Sequence, residues 1–192
     1  MQRKIEDFIK KGLPEEWFDY STELKGAAEI LWKSNGNTLI GYYTEKETYT
    51  RKLFSRVYFF LLGIAIENLI KGILISEYPQ YLKDGKISSE ISSGHNIKNL
   101  SGKITSLSFD KNENEIFEIL SELIPYWGKY PIPKNFNHVK NEKFFDEVWY
   151  ENLIRLYEKL ELQLYKLNIN GIPGPNGVHF PKLYISYLHN KL

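Results

Sequence analysis

Apolar residues return at helical spacing along most of the chain, and Gly, Pro and Asn mark the breaks between runs. Met1–Gly12 reads as a short amphipathic helix stopped at Gly12. Pro14 opens a second helix, with Glu15 and Glu16 at the positive end of its dipole. That helix runs to about Ser34 and ends at Asn35-Gly36-Asn37, burying Phe18, Leu24, Ala27, Ala28, Leu31 and Trp32. The next stretch, Thr38–Tyr43, reads as a connecting loop. A long helix is predicted from about Lys46 to Glu77, ending before Pro79. It is apolar nearly all round, so other elements must surround it. One narrow stripe is polar or small: Lys52, Arg56, Gly63, Glu67 and Lys71, with Asn68 at its edge. Gly63 costs helix stability, about 1 kcal/mol relative to Ala, so a close neighbour or a ligand must need the space.

The second half follows the same logic. Gln80–Ser93 reads as a polar loop, and Gly94-His95-Asn96 opens a short helix to about Lys103. Asp110 caps a helix from Lys111 to about Ile124 that Pro125 closes. The segment from Trp127 to Asn141 is irregular, and its charged residues are all lysines. A final helix spans about Glu142–Leu167, with the seam Phe145, Trp149, Leu153, Leu156, Leu160, Leu164 and Leu167. The expected class is all-α: an up-and-down bundle of four to five main helices with short accessory helices. Residues 1–168 form the bundle. Residues 169–192 form an irregular Pro/Gly-containing tail that docks on it or on a second subunit.

Composition changes this picture mainly by exclusion. The 192 residues carry 25 Lys plus Arg against 24 Asp plus Glu, so no strong global field draws the chain to nucleic acid. There is no cysteine, which excludes disulfides, thiolate nucleophiles and zinc–cysteine sites. Phosphate-loop, dinucleotide and zinc-protease motifs are missing, and the four His are scattered, so neither a cofactor nor a metal is expected. The N-terminus is charged and lacks a signal-like apolar core. The apolar run from Val57 to Ile75 nears membrane-spanning length, but Glu67, Asn68 and Lys71 make insertion costly. A buried helix in a soluble, cytoplasmic protein is the expectation, with no membrane partner. The Lys-rich, Arg-poor usage fits an AT-rich microbial genome.

Three groups of residues carry candidate chemistry. Glu67 and Lys71 have the favourable order for an i, i+4 ion pair, and a carboxylate inside an apolar helix must be paired or lose its charge. Such a group anchors loop amides or serves as a base. His95, at a loop-to-helix junction, is either bonded locally or to Glu67, or is an acid/base or ligand-contacting group. Trp127-Gly128-Lys129-Tyr130-Pro131 is either a core-plugging turn or a stacking and phosphate-contacting corner.

These segments together, IAIENLIKG (64–72), GHNIKNL (94–100) and YWGKYP (126–131), resemble the HEPN-like helical proteins, and more closely a bacterial branch of them. The resemblance covers roughly Tyr49 to Pro133. It implies a helical bundle, often a homodimer, that works in a nucleic-acid-linked stress or phage-defence system. The implied partners are a nucleotidyltransferase-like or toxin/antitoxin protein, with RNA or a nucleotide as a further ligand. Glu67, Asn68, Lys71, His95, Trp127, Lys129 and Tyr130 are the residues it carries over as ligand-binding. The family's ribonucleases use an Arg followed by a His after four to six residues, and none of Arg3, Arg51, Arg56 or Arg155 is so placed. The expectation is therefore a non-catalytic module. The alternatives are a metal-independent ribonuclease using Glu67, His95 or His138, and a purely structural oligomerising protein.

Overall fold

The structure is a computed structural model that describes residues 2–34, 38–42, 48–52, 54–92, 94–127 and 147–190; for 38–42, 48–52, 55, 126 and 127 it describes the backbone alone. The chain is predominantly helical. Its elements are α1 (Gln2–Lys10), α2 (Pro14–Lys33), β1 (Thr38–Tyr42), β2 (Thr48–Lys52), α3 (Ser55–Glu77), α4 (Ser89–Ser92) and α5 (Ile97–Ser101). They continue with α6 (Lys111–Glu122), α7 (Glu147–Asn168), β3 (Ile172–Pro173), β4 (His179–Phe180) and α8 (Ser186–His189).

Helix α3 is the axis of the bundle. Tyr58, Phe59, Leu62, Ala65, Ile66, Leu69, Ile70, Ile73, Leu74 and Ile75 are all fully buried. Each large apolar side chain so buried contributes about 1.5–3 kcal/mol. Arg56–Glu77 is long and apolar enough to cross a membrane, but 78% of its apolar window lies inside the bundle, as expected of a core helix. Its broadest interface is with α2, followed by α7. Two glycines set the approach of its neighbours. A Cβ on Gly63 would lie 3.1 Å from Leu120 and 3.3 Å from Ile124. One on Gly72 would lie 2.9 Å from Leu164 and 3.2 Å from Trp17. The space at Gly63 is taken by a neighbouring helix and not by a ligand.

Three expectations are corrected. Residues 38–42 are not a loop: they form β1, paired antiparallel with β2 from Thr38↔Lys52 to Tyr42↔Thr48. The long helix therefore begins at Ser55, some nine residues late, because the β-branched and aromatic run Thr48-Tyr49-Thr50 prefers an extended backbone. Lys52 consequently leaves the polar stripe of α3. The polar loop after Glu77 contains a tight helical stretch, Pro79–Gly85, and the short helix α4.

Other boundaries follow simple chemistry. Asp110 accepts from Glu113 N–H at 2.9 Å while Glu113 accepts from Asp110 N–H at 2.8 Å, a reciprocal cap on α6. Pro125 does not stop that helix, which widens into a π-turn over Leu123–Trp127. Helix α7 buries Leu153, Leu156, Leu160 and Leu164 of the expected seam. The stretch expected to start it, residues 142–146, lies outside the described residues.

The tail packs against its own chain. Phe180 and Leu188 are fully buried. The carbonyl of Asn168 accepts from Gly171 N–H and Leu183 N–H, both at 3.0 Å. The Tyr187 phenol donates to Glu161 at 2.7 Å.

Candidate functional site

Glu67 sits where α3 passes α5, with only 4% of its side chain exposed. Both of its oxygens are engaged. Lys71, one turn later, donates to Oε1 at 2.6 Å. His95 Nδ1 lies 2.9 Å from Oε2 and 3.3 Å from Oε1. Lys71 is itself mostly buried, 14% exposed, and its ammonium lies 6.0 Å from the centre of the Trp17 ring. A charged pair this deep in a helical core must be compensated locally, and here the compensation comes entirely from the chain itself.

His95 reaches Glu67 from an ordered loop end. Gly94 takes a left-handed φ of 84°, which turns the chain towards α3. Asn96 caps α5, accepting from Asn99 N–H at 2.9 Å. His95 therefore precedes the cap and does not itself open the helix. α5 is fastened in turn to α6. The N–H of Lys98 donates to Ser121 Oγ at 3.0 Å, and its ammonium donates to Asn114 Oδ1 at 2.7 Å. The imidazole keeps 39% of its side chain in solvent. Its Nδ1 edge faces the buried carboxylate, and Nε2 has no hydrogen-bond partner among the described residues.

The convergence includes Glu67, Lys71 and His95, drawn from two segments 28 residues apart. Asn68 does not join them: its amide folds back on its own helix and donates to Ile64 O at 2.8 Å. Trp127 is described as backbone alone, at the end of the π-turn. Lys129, Tyr130 and His138 lie outside the described residues. Among the described residues, no group of three or more His, Asp or Glu could hold a metal ion.

A second buried carboxylate lies on the far face of α7. Glu161 is 5% exposed and accepts the Tyr187 phenol, whose pKa is pushed up by burial and by that carboxylate. Nearby, Ser21 Oγ donates to Ala65 O at 2.8 Å and lies 3.3 Å from the Tyr157 hydroxyl. Burial raises the Tyr157 phenol as well. The Lys25 ammonium lies 5.3 Å from the centre of the Tyr157 ring. Burial acts to lower its pKa, but the Glu29 carboxylate at 2.8 Å outweighs this and raises it. This row was not anticipated. Its sequence signal was Tyr157, Glu161 and Tyr165 at spacings of four beside the apolar seam.

No family model matches the chain, and no curated protein or solved structure matches it. The arrangement itself carries the functional argument. A carboxylate shared between an ammonium and an imidazole ties α5 to the core helix and fixes their register. It also holds one imidazole at a defined angle on the surface, with an edge available to a ligand.

Proposed function

We propose that the chain is a non-catalytic HEPN-like module, homodimeric, acting in a nucleic-acid-linked stress or phage-defence system. It binds a protein partner of nucleotidyltransferase-like or toxin/antitoxin type, with RNA or a nucleotide as a further ligand. The observation that carries this reading is the closed state of Glu67. Its two oxygens are taken by Lys71 and His95, so the buried carboxylate is a fastening and not a free base. The missing Arg–His pair and the three shared sequence segments support the same reading. The test is an RNA cleavage assay on the full chain, beside His95→Ala and His138→Ala. No cleavage by any of the three is expected. Cleavage by the wild type that disappears in either variant, with the fold intact by circular dichroism, would overturn the proposal.

One observation favours a second reading, a metal-independent ribonuclease. A carboxylate at Nδ1 with the other ring edge in solvent is how a general base is oriented. In that case His95 takes the proton, and the same assay detects it.

A further inference from the structure

We propose that Glu67 fixes the tautomer of the neutral His95 ring, with the proton on Nδ1, and so makes Nε2 a proton-accepting atom that takes a hydrogen bond from a donor group, O–H or N–H, of a ligand. The donor–acceptor arithmetic is direct. An ionised carboxylate only accepts, so the imidazole nitrogen 2.9 Å from Glu67 Oε2 must carry a hydrogen. A neutral imidazole has one such hydrogen, which leaves the lone pair on Nε2. Nε2 has no partner among the described residues, and the ring is 39% exposed.

The surrounding charges argue against an anion as the occupant. Lys71 is committed to Glu67 at 2.6 Å, and Lys98 donates to Asn114 and pairs with Glu118 at 3.4 Å. The group as a whole is neutral, and a lone pair facing outward repels an anion. A hydroxyl donates into that lone pair. His189 provides the contrast. Its Nδ1 lies 3.0 Å from the Tyr165 hydroxyl, which can either donate or accept, so that contact does not fix the tautomer as a carboxylate does.

This deepens the reading of the site as a ligand contact and rests on it for its biological meaning. Its test uses neither RNA nor a partner, so either can fail alone. Long-range proton–nitrogen correlation spectra of the labelled full chain, above the titration of neutral imidazole, are expected to show His95 protonated at Nδ1. His189, whose phenol partner can donate or accept, serves as the ring without a carboxylate. Lys71→Met keeps the carboxylate and should keep the His95 tautomer. Glu67→Gln, whose amide both donates and accepts, should give a mixture.

Diethylpyrocarbonate supplies a chemical readout. Nε2 attacks one carbonyl carbon, a nitrogen–carbon bond forms as that carbon's bond to the bridging oxygen breaks, and the Nδ1 proton is released to the departing ethyl carbonate, which breaks down to ethanol and carbon dioxide. Mass mapping should find His95 modified severalfold more slowly in Glu67→Gln than in the wild type, with His179 as the exposed reference. A His95 ring protonated at Nε2 in the wild type overturns the proposal, whether or not the variant folds. Modification of His95 that is indifferent to Glu67→Gln overturns it too.

Discussion

Glu67→Gln is the sharpest perturbation of the core, because it keeps the shape of the side chain and deletes its charge. Lys71, 14% exposed, then faces an amide oxygen, and His95 loses its charged acceptor. Removing one member of a fully buried ion pair costs roughly 3–5 kcal/mol. Two features reduce this. The tip of Lys71 already reaches solvent, and the Gln oxygen still accepts one hydrogen bond, worth about 1 kcal/mol. A net loss of about 2 kcal/mol is expected on that balance. The assay is urea unfolding followed by far-UV circular dichroism. With a slope of roughly 2 kcal/mol per molar, the midpoint should fall by about 1 M. Adding Lys71→Met removes the stranded ammonium, so the double variant should recover at least about 1 kcal/mol relative to additivity. A single variant unfolding within about 0.2 M of the wild type would refute the reasoning, given that slope. Strict additivity of the two changes would refute it as well.

Gly72→Ala places a Cβ 2.9 Å from the end of the Leu164 side chain and 3.2 Å from Trp17 Cβ, so Leu164 must move aside and Trp17 must give by a few tenths of an ångström. Overpacking of this kind should lower stability by about 1–3 kcal/mol, read from the urea midpoint, against the gain Ala normally brings to a helix. Tyr58→Phe removes a buried hydroxyl that has no hydrogen-bond partner among the described residues, and should leave stability unchanged or raise it by up to about 1 kcal/mol. Burial holds the Tyr58 phenol far above its ordinary pKa, so it carries no ionisation penalty below about pH 10, and the folded state loses stability as pH rises beyond that and the unfolded phenol ionises first. Alkaline unfolding scans should show the variant less sensitive to base than the wild type.

Sequence pattern disclosed the centre of this molecule better than its margins. An apolar helix with Glu67 inside it demands a partner, and Lys71 at i+4 is the nearest cation on that face. His95 was readable as a candidate because a polar loop returning to the bundle brought an imidazole with it. The helical period also misled. Lys52 falls in step with Arg56, Gly63, Glu67 and Lys71, yet it belongs to β2, since periodicity is blind to the strand preference of Thr48-Tyr49-Thr50. Asn68 shows a different failure: the pattern assigns a face but not a rotamer, and the amide bonds to its own helix. The Glu161–Tyr187 contact could not be read at all, because nothing local places residue 187 over α7.

The two buried carboxylates, Glu67 and Glu161, mark two of the places where irregular chain meets regular helix. Glu67 receives the loop before α5, and Glu161 receives the tail. In each case the incoming segment contributes one polar atom to a carboxylate that the core has already desolvated. Apolar packing alone would let a short segment slide along a helix by a residue at little cost, whereas a buried carboxylate accepts its donor at one position only. Because Glu67 is also held by Lys71, its charge does not depend on His95 being protonated. The imidazole contact can therefore break without the carboxylate beneath losing the ammonium that compensates it.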